Sequence, residues 1–270
     1  MGEKYSVLKN ISYGNHERHK VDIYIPENPQ KNSGVILLIH GGGWSNGDKS
    51  DYKNEAEFYA SSGYICAAMN YRFVTEKINV FNELDDITSA LNAIKGKCEE
   101  CGFGVKNTIL TGASAGAHLS LLYAYTRKCE APVIPVAVGA FCPPVNCWAE
   151  NFLMGIKGEF EEWKYSVISK CCGEKITKET LLKEQQQNAL KKMSPQTYVS
   201  ENCVPTAVFQ GVSDELVPFE HVETFIETLK KSGVKNDFLV YENSGHALDK
   251  DPEKTEEAKN MILSYAKRYF

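Results

Sequence analysis

Residues 109–119, ILTGASAGAHL, place a short apolar run directly before Gly-x-Ser-x-Gly and a helix-forming segment. A serine held at a sharp strand-to-helix turn needs small residues two places before and two places after it, because larger side chains would collide where the backbone folds back. Gly112 and Gly116 meet this requirement. The turn would raise the Ser114 hydroxyl above the sheet edge, and the helix that begins at Ala115 would point backbone N–H groups at an anion beside it. We therefore predict a nucleophile elbow, with Ser114 as the nucleophile.

The remainder of the chain alternates apolar strands with helices. Residues 35–39, VILLI, form a continuous apolar run, which is typical of a strand covered on both faces. An antiparallel pair of strands before it, with a turn at Gly14-Asn15, is expected to end at Pro26. The other predicted elements are helix 52–61, strand 64–69, a helix capped by Asn82 and running to about Lys97, helix 115–127, strand 134–141, strand 205–211, helix 219–231, strand 238–241 and helix 252–269. This order predicts a single α/β domain over 1–270, with a mostly parallel central sheet and helices on both faces.

The sixty residues 143–202 precede Cys203 and the next strand, far more than a crossover helix requires. We expect residues 143–202 to form a cap insertion over the ends of the strands, with a polar helix from about 178 to 192. The insertion is dense in aromatic residues, which either line a substrate pocket or pack the cap onto the core. Trp148 is the candidate substrate-binding residue within it.

Residues 40–44, His-Gly-Gly-Gly-Trp, follow the buried strand 35–39 directly. Three consecutive glycines let the backbone approach a ligand and point N–H groups at it, so this segment is predicted to be an oxyanion loop. A flexible linker is the alternative, and it fits poorly directly after a core strand. Trp44 is a second candidate for substrate binding.

A serine nucleophile needs a base, and the base needs an acid to fix its tautomer. With catalytic residues at the carboxyl ends of parallel strands, the chain order serine, acid, histidine places the acid after strand 205–211 and the histidine after the last strand. Asp214 and His246 occupy those positions. Glu215 is the alternative acid, although it points away if Asp214 points toward the site.

The remaining histidines have other expected roles. His118 should pack against the sheet or a neighbouring loop, and His221 should lie on the surface. His40 should order the glycine loop by hydrogen bonding, while His16 and His19 lie in the lead-in hairpin.

Charge and cysteine content exclude several classes of function. The formal net charge of −5 leaves no basic field for nucleic acid, and without a signal-like or membrane-spanning apolar run we expect a cytoplasmic chain that does not bind membranes. Nine cysteines in such a chain favour reduced thiols. The pair Cys98 and Cys101 lacks the second pair that a zinc ribbon would need, and it lies where a helix ends, not where a redox pair belongs. No role is assigned to the adjacent Cys171 and Cys172.

The sequence predicts an ion pair for Arg72 but leaves its partner undecided. Arg72 follows the strand 64–69 and would need a buried partner, which either Asp85 or Asp86 could supply. The sequence does not choose between them.

Several motifs together resemble the hormone-sensitive-lipase-like and acetylxylan/feruloyl-esterase-like branch of the α/β-hydrolases. They are, in order, His-Gly-Gly-Gly-Trp at 40–44, Asn-Tyr-Arg at 70–72, Gly-Ala-Ser-Ala-Gly at 112–116 with His118-Leu119, Ser194-Pro195, Asp214 with Val217-Pro218, and Gly245-His246. The resemblance runs from about residue 20 to the end of the chain.

The resemblance implies Ser114 as nucleophile, His246 as base and Asp214 as the orienting acid. It also implies an oxyanion hole formed by the N–H groups of Gly42, Gly43 and Ala115. Ala117 departs from the glycine that relatives often carry, and the cap matches no pattern, which leaves the substrate open.

The implied reaction is hydrolysis of short-chain esters, acetyl esters first, through an acyl-enzyme on Ser114. Acetylated sugars or oligosaccharides are the expected small-molecule substrates, and neither a metal nor an organic cofactor is required. Two alternatives stay open: a formamidase or amidase, as in the kynurenine-formamidase-like relatives that share the triad order, and a non-catalytic small-molecule binder. The oligomeric state is not predicted.

Overall fold

The computed structural model describes residues 5–29, 34–154 and 159–270. Its centre is an eight-stranded sheet in the order β1-β2-β4-β3-β5-β6-β7-β8. The strands are β1 Tyr5–Ser12, β2 Lys20–Pro26, β3 Val35–Ile39, β4 Ile65–Met69, β5 Asn107–Ala113, β6 Ile134–Phe141, β7 Thr206–Gly211 and β8 Asn236–Tyr241. The pairs β1–β2 and β2–β4 are antiparallel, and all later pairs are parallel. The predicted mostly parallel sheet with an antiparallel lead-in is confirmed.

Helices cover both faces of the sheet. They are α1 Lys53–Ser61, α2 Val80–Glu100, α3 Ala115–Thr126, α4 Glu150–Met154, α5 Glu159–Cys172, α6 Glu184–Met193, α7 Phe219–Lys231 and α8 Pro252–Tyr269. One hydrophobic core joins the sheet to α2, α3, α7 and the helices of the insertion, and a second joins it to α1 and α8. Because strand β3 lies between these two cores, all five of its residues are buried, as its continuous apolar sequence predicts.

Two helix starts differ from the prediction. Helix α2 begins after Asn79, whose side chain accepts a hydrogen bond from Phe81 N, so Asn79 and not Asn82 is its N-cap. Asn82 instead accepts from Asn79 N, which completes a reciprocal capping box. The helix predicted from about 178 begins only at Glu184, because residues 178–182 form turns.

The open ion pair is resolved in favour of Asp86. Arg72 Nη2 lies 2.6 Å from Asp86 Oδ1, and Arg72 N donates to Asp86 Oδ2 at 2.9 Å. Asp85 is exposed and faces Arg127 at 3.4 Å. Asp86 lies on the buried face of α2, where a carboxylate that stays ionised needs a partner such as Arg72.

The segment between β6 and β7 forms α4, α5, α6 and a 3-10 turn at Pro195–Tyr198. Ser194 joins its two ends, since Ser194 Oγ accepts from Cys147 N at 2.9 Å and donates to Leu190 O at 2.7 Å. All nine cysteines are free thiols. Within the ranges that the structure describes, none of the helices has both the length and the apolar character needed to cross a membrane.

Candidate active site

The elbow after β5 holds Ser114 in a backbone conformation that residues other than glycine rarely adopt. Its φ is 51° and its ψ is −118°, and its N–H donates to Phe141 O at 2.8 Å. A Cβ atom at Gly112 would lie 2.3 Å from Ile39 O, and one at Gly116 would lie 1.9 Å from the same atom. Both positions therefore require glycine, and strain of this kind at a loop tip is typical of functional residues.

Asp214 and His246 meet at the carboxyl edge of the sheet. Asp214 follows β7 and His246 lies in the loop between β8 and α8. His246 Nδ1 lies 2.8 Å from Asp214 Oδ2 and 3.0 Å from Oδ1. A carboxylate in this position holds the proton on Nδ1 and leaves Nε2 free to accept one.

The Asp214 carboxylate is held by three further donors. Its Oδ1 accepts from the N–H groups of Leu216 and Val217 at 2.9 and 2.8 Å, and its Oδ2 accepts from Gln210 Nε2 at 2.9 Å. Burial alone would raise the pKa of Asp214, but the bond from His246 and the backbone N–H groups outweigh it and hold the pKa below its usual value. Asp214 is therefore ionised at neutral pH and stabilises a positive charge on His246.

One cavity of about 510 Å³ brings the parts of the site together. Ser114, His246, Gly42 and Gly43 all line it. Gly42 and Gly43 have φ values of 107° and 57°, as expected for a tight loop at the end of β3. Ala115 is the first residue of α3, so its N–H lies at the helix N-terminus. In the described part of the chain no hydrogen bond joins Ser114 Oγ to His246, and such bonds commonly tighten only when substrate binds.

His40 orders the glycine loop, which confirms its expected role. Its Nδ1 lies 2.7 Å from Gly41 O, and Arg18 Nη2 lies 3.1 Å from its Nε2. Tyr71 OH donates to His40 O at 2.9 Å, and Arg18 also donates to Gly47 O at 3.0 Å. Burial lowers the pKa of His40 to about 4, so the ring is neutral and serves only to position the loop.

Trp44 and His118 connect the glycine loop to the insertion. Trp44 Nε1 donates to His118 Nδ1 at 3.1 Å, so His118 Nε2 carries the proton and donates to Met193 O at 2.7 Å. Burial lowers the pKa of His118 to about 4. The expectation that His118 packs against a neighbouring loop is confirmed. Trp44 lines the pocket as proposed, but its indole is buried and its N–H is already occupied.

The prediction that His221 lies on the surface is wrong. Its side chain is buried, stacks on Phe152, and its Nε2 accepts from Val145 N and Asn146 N at 3.0 and 3.2 Å. Burial lowers the pKa of His221 to about 3. His221 lies in the first turn of α7, which the start of the insertion covers. The hydrophobic pattern of α7 does not indicate this contact, so the burial of His221 could not be predicted from it.

The insertion supplies part of the wall of the pocket that Ser114 and His246 also line. That part consists of Phe152, Trp163, Lys164 and Val167, from α4 and α5. Trp148 does not line the pocket within the described residues; it packs against the core before α4 begins. Phe152 and Trp163 are two of many aromatic residues in the insertion, and nothing in the local sequence distinguishes Lys164 from other lysines, so none of the three could be predicted to line the pocket.

Cys142 lies close to Asp214 and His246, and the three side chains form a cluster of possible metal ligands. Cys142 Sγ, an Asp214 oxygen and a His246 ring nitrogen lie within 4.8 Å of one another. Burial, followed by the charge of Asp214, raises the pKa of Cys142 well above its usual value, so the thiol stays protonated and lies 3.6 Å from His246 O. A metal here would occupy Asp214 and His246 together, so Cys142 fits better as a packing neighbour of that pair.

A mostly parallel sheet in this strand order, with a serine elbow after β5, an acid after β7 and a histidine after β8, is that of an α/β-hydrolase. The match of residues 21–229 to the model of the BD-FAE family identifies the chain as a member of that family.

Named relatives and solved structures agree with this assignment. The chain is 29% identical over 257 residues to a probable isoprenylcysteine alpha-carbonyl methylesterase of Oryza sativa subsp. japonica, covering 89% of this chain and 58% of the relative. It is 22% identical to esterase LipC of Mycobacterium tuberculosis, covering 91% of this chain and 61% of the relative. The chain thus spans little more than half the length of the curated relatives it matches.

Two solved structures share the fold over nearly the whole chain. A truncated form of a carbohydrate esterase from gut microbiota superposes with a TM-score of 0.80 at 16% identity, covering 99% of both chains. Esterase B of Lactobacillus rhamnosis has a TM-score of 0.77 at 18% identity, covering 98% of this chain and 87% of that one.

Proposed function

We propose that this chain is a serine carboxylic-ester hydrolase in which Ser114, His246 and Asp214 form the triad. The observation that carries the proposal is the Asp214–His246 pair, joined by contacts of 2.8 and 3.0 Å, beside a strained elbow whose serine lines the same cavity. The esterase names of the relatives support it.

The geometry suits a two-step reaction. His246 Nε2 takes the proton of Ser114 as Oγ attacks the ester carbonyl, and the N–H groups of Gly42, Gly43 and Ala115 receive the negative charge on the carbonyl oxygen. His246 then gives its proton to the leaving alcohol, which leaves an acyl group on Ser114. Water attacks this acyl-enzyme with His246 again acting as base, and as the Ser114 Oγ–acyl bond breaks His246 returns the proton to Ser114 Oγ and the acid product departs.

Short acyl groups, acetyl first, and sugar or oligosaccharide alcohols are the proposed substrates. Support comes from the sequence resemblance and from the likeness to a carbohydrate esterase fold. Trp163 also favours small groups at the oxyanion loop, since a single Cβ added to Gly43 would lie 2.6 Å from its ring.

The test is hydrolysis of 4-nitrophenyl esters from acetate to decanoate, beside acetylated xylo-oligosaccharides. Wild type is compared with Ser114→Ala and with Ser166→Ala, which removes an exposed hydroxyl from α5. We expect acetate to be preferred, and we expect turnover to be lost in Ser114→Ala alone. Turnover that survives Ser114→Ala, or that fails on every ester while an N-formyl amide is cleaved, would overturn the proposal.

A further inference from the structure

Lys164 is a buried lysine in the wall of the catalytic pocket that the triad mechanism does not use. It lies on α5, is 5% exposed, and lines the same cavity as Ser114 and His246. Its Nζ donates to Leu216 O at 3.0 Å and lies 3.7 Å from the centre of the Phe152 ring. A carbonyl and a ring face therefore hold the ammonium in place.

The ammonium has no counter-ion among the residues that the structure describes. No carboxylate oxygen there lies within 4.0 Å of Lys164 Nζ, and the ion pairs of the described chain do not include it. None of the other described residues that line the pocket is Lys, Arg, Asp or Glu. An isolated buried ammonium is strongly disfavoured, and proteins normally pair or neutralise it.

The groups that face Lys164 do not neutralise it. Cys147 is protonated because burial raises its pKa to about 12, and His221 is neutral because burial lowers its pKa to about 3. Asp214 attracts the ammonium from a distance, but its oxygens are already occupied by His246 and three other donors. Burial lowers the pKa of Lys164 to about 8, so the side chain is still mostly charged at neutral pH.

An ammonium has three N–H donors, and the contacts with Leu216 and Phe152 account for two directions. We propose that Lys164 binds a carboxylate of the substrate, so that among short esters, acetylated sugars included, those that also carry a negative charge are preferred. The inference rests on the ester-hydrolase function proposed above and names its substrate class. The carboxylate belongs to the acyl part or the alcohol part of the ester, and two substrate pairs distinguish these.

The first pair is 4-acetoxybenzoate and its methyl ester, which differ in a charge on the alcohol part. The second is mono-4-nitrophenyl adipate and its methyl ester, which differ in a charge on the acyl part. For each pair the measured quantity is the ratio of kcat/KM for the charged substrate to that for the neutral one. Effects on the triad cancel in this ratio, because both substrates use the same Ser114 and His246.

Three variants carry the test. Lys164→Met keeps the stem and removes the charge, Lys164→Arg keeps the charge, and Lys170→Met removes a charge from the same helix outside the pocket. In Lys164→Met we expect the ratio for one pair to fall by roughly ten- to a hundredfold, the contribution of a charge-assisted hydrogen bond in a buried site. Lys164→Arg should retain most of the ratio, and Lys170→Met should retain all of it.

A purely structural role for Lys164, such as fixing the loop of Asp214 through Leu216 O, predicts a different result. Lys164→Met would then lower kcat for both members of each pair equally and leave both ratios unchanged, which would overturn the proposal. The ratio in wild type should also decline as the pH rises past about 8, where Lys164 loses its proton. A ratio independent of pH would count against it.

Binding without turnover separates this inference from the proposed function. Calorimetry with Ser114→Ala should show that 4-acetoxybenzoate or mono-4-nitrophenyl adipate binds more tightly than its methyl ester, and that Lys164→Met removes the difference. If wild type hydrolyses no ester yet this difference is found, the hydrolase proposal fails and the carboxylate site stands. Equal binding of both members of both pairs would refute the site whatever the enzyme hydrolyses.

Discussion

Replacing Asp214 with Asn should abolish most activity while leaving the fold intact. The side chain amide can be placed in two ways. With its NH₂ at the position of Oδ1 it would face the N–H groups of Leu216 and Val217, which donate to Oδ1 at 2.9 and 2.8 Å. With its NH₂ at the position of Oδ2 it opposes only Gln210 Nε2, at 2.9 Å, so this orientation is favoured.

In that orientation the amide donates to His246 Nδ1, which lies 2.8 Å from Oδ2. His246 must then carry its proton on Nε2, where it cannot accept the proton of Ser114. The comparable loss in serine proteases is about 10⁴-fold in kcat, or about 5 kcal/mol in the barrier. The remaining donor–donor conflict with Gln210 should lower the free energy of unfolding by only about 1–3 kcal/mol.

The assay is kcat/KM on 4-nitrophenyl acetate together with urea unfolding, for Asp214→Asn and for the neighbouring Glu215→Gln. Glu215→Gln should keep activity within a few-fold of wild type. If Asp214→Asn retains more than about a tenth of the activity, or if Glu215→Gln loses as much, Asp214 does not orient His246 as described. The same holds if unfolding alone explains the loss at the assay temperature.

Three further predictions concern the surroundings of the triad. Gly116→Ala should fail to fold or lose several kcal/mol in the free energy of unfolding, because its Cβ would lie 1.9 Å from Ile39 O. The control Gly96→Ala lies within α2, where a Cβ meets open space, and should raise the free energy of unfolding in urea by about 0.5–1 kcal/mol. His40 and His118 have pKa values of about 4 in the folded protein and near 6.5 in the unfolded chain. Their contribution to the free energy of unfolding is therefore fully present above pH 7 and is lost as the pH falls toward 4. At pH 5 each histidine lowers the free energy of unfolding by about 2 kcal/mol relative to pH 7. Urea unfolding of His118→Gln at pH 7 and pH 5 should therefore show a difference between the two pH values that is about 2 kcal/mol smaller than in wild type. If the difference is the same as in wild type, this prediction is wrong. Trp163→Ala should raise kcat/KM for longer acyl chains relative to acetate in the ester series, because the ring lies over Gly43. Little stability should be lost, because the ring is 43% exposed. If the chain-length profile is unaltered, Trp163 does not restrict the acyl group.

The placement of the three residues of the proposed triad could be predicted from the sequence because it depends on the topology of one sheet. Carboxyl ends of parallel strands meet at one edge, so the order of Ser114, Asp214 and His246 along the chain was enough to place them together. The caps of α2 were harder, because Asn79 and Asn82 are three residues apart and each has the side chain of an N-cap. Only the reciprocal hydrogen bonds decide which of the two stands outside the helix.

Contacts of the insertion could not be predicted. His221 faces Val145 and Asn146, and Lys164 faces Leu216, across separations of 52 to 76 residues. No periodic pattern in either partner indicates the other, because the insertion has no sheet register to fix its place. The burial of His221 follows from those packing contacts alone, and so does that of Lys164, which has no counter-ion among the described residues.

These same contacts restrict how the insertion can move. Buried hydrogen bonds hold the insertion to the body at Met193 O through His118 and at Val145 N through His221, and a partly buried one holds it at Leu216 O through Lys164. Each would cost at least about 1 kcal/mol to break without a replacement, so lifting the insertion as one body is unfavourable. Substrate access should therefore depend on side chains at the pocket mouth, such as the exposed ring of Trp163, while α5 keeps Lys164 in place. A fixed α5 is also what selection by charge requires, because a mobile ammonium would be solvated and would distinguish charged from neutral esters only weakly.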